Sequence, residues 1–234
     1  MKLIKRLANL GYGSRKEMQK LIGMRAITDA AGSPLDDDSD TAHADIRYKG
    51  RPLDPDFGMV LLMHKPTGYV CSLKDRGQLV YELLPARFAE RKPVLSSIGR
   101  LDSDTSGLLL FTDDGDYLHK IISPKNHVAK IYEVTCARPL EPHYGEVFAA
   151  GTLVLENEKD ALKPAFLDVT GEKTARLTLY EGRYHQVRRM FAAVGNHVET
   201  LHRAQMGPLT LGDLKPGKWR LLSAEEAQGL LIQP

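Results

Sequence analysis

Residues 99–115 read GRLDSDTSGLLLFTDDG and set two carboxylates, Asp102 and Asp104, in a turn-prone run of Asp, Ser, Thr and Gly. The run leads into Leu108-Leu109-Leu110-Phe111-Thr112, whose unbroken apolar character predicts a strand buried on both faces. A carboxylate on a loop at the edge of a buried strand combines a fixed backbone with a side chain free to meet a substrate, which is where catalytic groups tend to sit. By residue type alone, the same two side chains also suit a turn in which they bond their own backbone, or the carboxylate pair of a glycosidase.

A second block that could do chemistry is Glu181-Gly182-Arg183-Tyr184-His185-Gln186-Val187-Arg188-Arg189-Met190. Val187, Met190, Phe191 and Val194 fall at i, i+3, i+4 and i+7, which predicts the buried stripe of a helix over 184–194. Arg188 lies about 100° from Val187 and borders that stripe, so it is the half-buried cation, whereas Arg189 lies about 200° away. A third block, Lys130-Ile131-Tyr132, opens a strand predicted over 130–136 with Tyr132, Val134 and Cys136 on one face. Taken alone, Tyr132 reads as an ordinary strand residue packing in a sheet.

Together these blocks resemble the RNA pseudouridine synthases. The matching pieces are G-R-L-D at 99–102, S/T-x-G-L-L at 105–109, T-x-D-G at 112–115, K-x-Y at 130–132 and the G-R-Y-H-Q-V-R run at 182–188. Lys65-Pro66-Thr67-Gly68 matches the family's opening turn, with His64 in place of the usual Asn. The order of the segments is similar to the branch acting on small-subunit (16S) ribosomal RNA, which implies the class that modifies uridine 516. The resemblance implies Asp102 as the catalytic carboxylate, Arg188 as its ionic partner, Tyr132 stacked on the target base and Leu201 on the base's other side. It also implies a place for Arg100 in the gap left by the flipped nucleotide or on a phosphate. No cofactor or metal is implied, since the reaction has no redox step, and the sequence carries no G-x-G-x-x-G, P-loop or C-x-x-C. The alternatives are a synthase of a large-subunit ribosomal RNA branch and a non-catalytic RNA-binding protein on the same fold.

The elements that position these residues fill a chain of 234 residues, long enough for one large and one small domain, with 42% hydrophobic residues. The net charge is only +2, so contact with RNA must come from local patches. One patch is at the start: residues 1–28 hold seven Lys or Arg against a single Glu17, and 29–45 hold six Asp and no Lys or Arg. Ser14-Arg15-Lys16-Glu17 is a capping box that starts a helix at Arg15, with Met18, Leu21 and Ile22 on its apolar face and Arg15, Lys16 and Lys20 off it. From Leu3 to Ile22 this start resembles the S4-like RNA-binding domain, which implies an RNA-binding domain over 1–57 and RNA contacts for Arg15, Lys16 and Lys20. The resemblance lapses at Gly23–Gly32.

A Pro- and Gly-rich linker is expected over 49–58, followed by a catalytic domain over 58–234. Strands are predicted near 60–63, 152–156, 164–170, 174–180 and 197–203, and helices over 116–122, stopped by Pro124, and 142–149. A terminal helix is opened by the capping box Ser223-Ala224-Glu225-Glu226. The fold class is therefore α+β: a small N-terminal S4-like domain and a catalytic domain on a largely antiparallel mixed sheet flanked by helices. Cys71 and Cys136 lack a pairing pattern, and no apolar run approaches the roughly 18 residues that span a bilayer. The expected protein is cytoplasmic and contacts no membrane. It acts on 16S ribosomal RNA or small-subunit assembly intermediates, and nothing in the sequence demands more than a monomer.

Overall fold

The structure, a computed structural model, describes residues 1–72, 76–123 and 128–232. It divides into two compact units, Met1–Met59 with Leu84–Ser96 and Thr112–Gly115, and Val60–Leu83 with Ser97–Phe111 and Asp116–Pro234.

The first unit begins with α1 (Leu3–Asn9), α2 (Arg15–Gly23) and a three-stranded sheet of β1 (Ile27–Thr28), β2 (Arg47–Tyr48) and β3 (Arg51–Pro52). The capping box forms as the sequence predicts: Ser14 Oγ accepts from Glu17 N at 3.3 Å, and Glu17 Oε2 accepts from Ser14 N at 2.7 Å. Met18 is buried against Leu3, Leu7, Ile27 and Ile46, with Leu21 and Ile22 packed on the same cluster. Lys49 and Gly50 hold φ of 50° and 75°, the pair of left-handed residues that a two-residue hairpin turn requires. The expected linker is therefore a correction: its first residues close the β2–β3 hairpin and its later ones are tied down. Arg91 donates to the Pro55 carbonyl at 3.0 Å and to Asp113 Oδ2 at 2.6 Å, and Arg87 pairs with Asp54. Those cations lie 33 to 36 residues further along the chain, beyond the reach of local pattern.

The chain continues through β4 (Val60–Lys65), β5 (Tyr69–Val70), β6 (Gln78–Leu79), β7 (Ser96–Ile98), β8 (Thr105–Thr112), α3 (Gly115–Ile122) and β9 (Lys130–Cys136). It ends with α4 (His143–Ala149), β10 (Phe166–Val169), β11 (Thr174–Leu179), α5 (Gln186–Ala193), β12 (Val198–Met206), β13 (Leu209–Thr210), β14 (Trp219–Leu221) and α6 (Ala224–Gly229). Among the described residues these strands build a nine-stranded sheet in the order β10-β11-β9-β12-β8-β4-β14, with β13 on β12 and β7 on β8. β12 runs parallel to β8 and antiparallel to β9, so the sheet is mixed and the class is α+β. The predicted strand near 152–156 does not form. Its carbonyls turn to local partners, Leu153 O accepting from Leu162 N and Leu155 O from Glu158 N, instead of joining a ladder. Pro124, the predicted stop of α3, lies outside the described residues.

Unbroken hydrophobicity in β8 has the expected consequence, with Leu108 to Phe111 all fully buried. Leu108 and Leu110 join Val60, Leu62, Tyr117 and Ile121 in one cluster. Tyr144 and Phe148 of α4 meet Phe191 of α5 edge-on, at 6.4 and 5.3 Å between centroids. Each such buried side chain contributes about 1.5–3 kcal/mol, and the aromatic trio fixes α5 against α4.

The seam between β8 and β12 has almost no slack. Gly107 sits at φ +117°, and a Cβ there would stand 2.3 Å from the Arg203 carbonyl oxygen and 2.5 Å from its nitrogen. Gly107→Ala should therefore cost about 3 kcal/mol or more from strain and overpacking together. Urea unfolding would read this as a lowered midpoint; a loss under about 1 kcal/mol would mean that the seam yields.

Candidate active site

Two buried groups hold the loop that carries Asp102. Lys65, at the end of β4, is wholly buried, and its ammonium donates to the carbonyls of Asp102 at 2.9 Å, Thr105 at 2.8 Å, Pro66 at 3.1 Å and Ser103 at 3.5 Å. A lysine has three donors and no acceptor, so a cup of carbonyls satisfies it without a carboxylate contact. Burial pushes its pKa down, opposed by the nearby Cys71, Asp102 and Asp104. Cys71 adds a second brace, its Sγ donating to Leu101 O at 3.3 Å and accepting from Leu101 N at 3.4 Å. Gly68 N donates to Ser103 O at 2.7 Å, and Thr105 N to Asp102 O at 3.1 Å. With its backbone committed in this way, the loop leaves the Asp102 side chain, about a third exposed, on a cleft of about 650 Å³.

Strands and helix supply the walls. Tyr132 of β9 and Arg203 of β12 are register partners and both line the cleft with Lys130 and Met206. Arg203 is buried and donates through Nε to Leu108 O at 2.7 Å, while its Nη2 is buried without a partner among the described residues. Lys130 donates to Val128 O at 3.2 Å, and burial, aided by Arg203, pushes its pKa down to about 8. On the other side the turn before α5 brings Tyr184 and His185 to the cleft. His185 caps α5 with a left-handed backbone, φ 49° and ψ 31°, and its Nε2 lies 3.3 Å from Asp102 Oδ1. That contact is an ion pair when the imidazole is protonated.

The structure places Asp102, Tyr132 and Arg100 together on the cleft. Arg188 is half-buried as the helical wheel predicts, but its partner differs: Nη2 lies 2.9 Å from Asp104 Oδ2, without hydrogen-bond alignment, and Nη1 donates to Val198 O at 2.9 Å. The expected Arg188–Asp102 pair is thus corrected. A helical wheel gives the face of a cation but cannot choose between carboxylates two residues apart. Arg189 is also committed, with Nη1 2.5 Å from Glu158 Oε1. Leu201 is buried opposite Val134, on the same sheet face as Tyr132 and two residues along β12 from Arg203, and the apolar β12 residue lining the cleft is Met206. Arg15, Lys16 and Lys20 are exposed on α2.

Lys65, Arg203 and His185 escaped the sequence reading of the site. The signal for Lys65 was a lysine closing an apolar strand just before a proline. His64, the departure from the family form, bonds Leu214 O through Nδ1 at 2.7 Å and packs edge-on against His202. Among the described residues no three His, Cys, Asp or Glu side chains are placed to hold a metal ion.

Residues 59–193 match the family model described as RNA pseudouridylate synthase. The chain is similar to the ribosomal small subunit pseudouridine synthase A of Escherichia coli (strain K12), 48% identical over 185 residues that make up 78% of each chain. It is 47% identical to the protein of the same description from Yersinia pestis, over 80% of this chain and 79% of that one. Among solved structures, one described as a crystal structure of pseudouridylate synthase superposes with a TM-score of 0.70 at 36% identity, covering 98% of this chain and 99% of that one.

Lys130 gives the cleft a pH signature. Its folded pKa of about 8 lies below the ordinary 10.5, so the native state carries the penalty of a buried charge at pH 7. As pH rises from 8 toward 10.5 the native state sheds that proton before the unfolded chain does, and stability rises. Urea midpoints of wild type should accordingly gain on those of Lys130→Met across that window. A constant difference between the two would mean that Lys130 titrates normally.

Proposed function

The chain belongs to the RNA pseudouridylate synthase family and is an isomerase, and on that premise we propose that it converts a uridine of small-subunit (16S) ribosomal RNA to pseudouridine at the Asp102 cleft. The observation that supports this reading is that, among the described residues, one carboxylate, Asp102, lines the cleft, on a loop whose carbonyls are held by Lys65 and Cys71. Similarity to relatives named for the small ribosomal subunit favours that RNA over a large-subunit target.

In the reaction the bond from ribose C1′ to N1 breaks, the base turns, and C1′ bonds to C5. The hydrogen of C5 is lost and N1 regains one, so the formula is unchanged and no electron acceptor is needed. Asp102 is the group that attacks or deprotonates the nucleoside. Tyr132 offers a flat wall to the extruded uracil. Arg203 lines the cleft beside Tyr132, and its buried Nη2 has no acceptor among the described residues. Arg188 serves by holding Asp104, and with it the loop, against β12. Arg100, exposed at the rim, suits a phosphate.

We read residues 1–57 as an S4-like RNA-binding domain and 58–234 as the catalytic domain, with Arg15, Lys16 and Lys20 on phosphates. Among the described residues no helix is long and apolar enough to cross a membrane. The proposed setting is the cytoplasm, with the protein acting as a monomer on ribosomal RNA or a small-subunit assembly intermediate.

Purified protein incubated with small-subunit ribosomal RNA lacking modifications should introduce pseudouridine at a single position. Asp102→Asn should lower turnover about a thousandfold or more while RNA binding persists; turnover within about tenfold of wild type would remove Asp102 from the chemistry. Asp104→Asn should stay within about tenfold, since its carboxylate serves the loop. Equal losses in the two variants would restore the paired-carboxylate alternative.

A further inference from the structure

The turn between β11 and α5 presents an aromatic pair that the chemistry above does not use. Tyr184 is 68% exposed, and its ring stacks on that of His185 at 3.8 Å between centroids and 17° between planes. Both residues line the cleft, and His185 Nε2 is 3.3 Å from Asp102 Oδ1, so the stack stands beside the proposed catalytic carboxylate.

The backbone beneath this pair is held from both sides. Arg183 pairs with Glu158 and donates to the carbonyls of Asp160 at 2.8 Å and Ala161 at 2.6 Å, while its amide donates to Gln186 Oε1 at 2.9 Å. Arg189 donates to the Tyr184 carbonyl at 3.2 Å and to Glu158 at 2.5 Å. Arg183, and Arg189, which helical geometry alone would send to solvent, are thus spent on fixing a turn whose most prominent side chain is an exposed ring. One face of Tyr184 is covered by His185, which leaves the other as a flat π surface for a third ring. Such platforms take nucleobases of any identity, because every base has a π face.

We propose that the Tyr184–His185 stack is a base-binding subsite that receives, on the outer face of Tyr184, the nucleobase next to the target uridine in the RNA strand. The uracil itself goes deeper, to Tyr132. This inference rests on the reading of the cleft as the site of uridine isomerisation, and the two can fail separately.

The test uses the full-length protein and an RNA fragment spanning the mapped target, intact or with an abasic ribose immediately 5′ or 3′ of the uridine. Conversion of the intact fragment by wild type tests the function alone; no conversion overturns that reading and the subsite with it. Given conversion, Tyr184→Ala should raise KM about tenfold with kcat within about threefold, the effect of one lost base stack. Tyr184→Phe should match wild type, and Tyr184→Leu, which keeps bulk without a ring, should match Tyr184→Ala. One of the two abasic fragments should cost wild type a similar factor and Tyr184→Ala little more. The subsite is overturned if both proteins lose equal factors on both abasic fragments, if Tyr184→Ala leaves KM unchanged, or if Tyr184→Phe fails as badly as Tyr184→Leu.

Discussion

The Lys65 ammonium is the pin on which the site turns. A cation out of contact with solvent costs several kcal/mol unless its donors are met, and here carbonyls from one short loop meet them. The lysine needs those carbonyls as much as the loop needs the lysine, so burial of the charge and the shape of the loop are one constraint. Asp102 gains from it without touching Lys65 through its side chain: its carbonyl is taken, and its carboxylate faces the cleft and His185.

Around that pin the cations are divided by task. Lys65 braces backbone, Arg188 braces Asp104, and Arg183 with Arg189 brace the turn that carries Tyr184 and His185. Arg203 and Lys130 line the cleft, one with a nitrogen that has no partner among the described residues and the other with a depressed pKa. The narrow β8–β12 seam at Gly107 sets Arg203 in this arrangement, because only a residue without a side chain lets the two strands approach there.

Much of the scaffold was legible because it follows from local rules. Unbroken hydrophobicity marked β8, alternation marked β9, and the two capping boxes marked the starts of α2 and α6. Asp102 was legible through its motif and its place before a buried strand. What escaped depends on chain segments far apart: the Arg188–Asp104 contact joins residues on different elements, and the burial of Lys65 makes sense only once a loop 37 to 40 residues away closes over it. The apparent strand near 152–156 failed for the converse reason. Its apolar pattern was right for burial of Leu155, but its hydrogen bonds were met locally.

The central claim is that the Lys65 ammonium aims Asp102 through the loop backbone, and replacing Lys65 with a residue of similar length and no charge tests it most directly. Single-turnover conversion of small-subunit ribosomal RNA by Lys65→Met, at saturating enzyme and at a temperature where the variant is folded, isolates the chemical step. The account predicts a rate at least about a hundredfold below wild type, because a misplacement near 1 Å costs about that much, with RNA affinity retained. A rate within about threefold of wild type would contradict it, and would mean that the loop holds Asp102 in place without the buried cation.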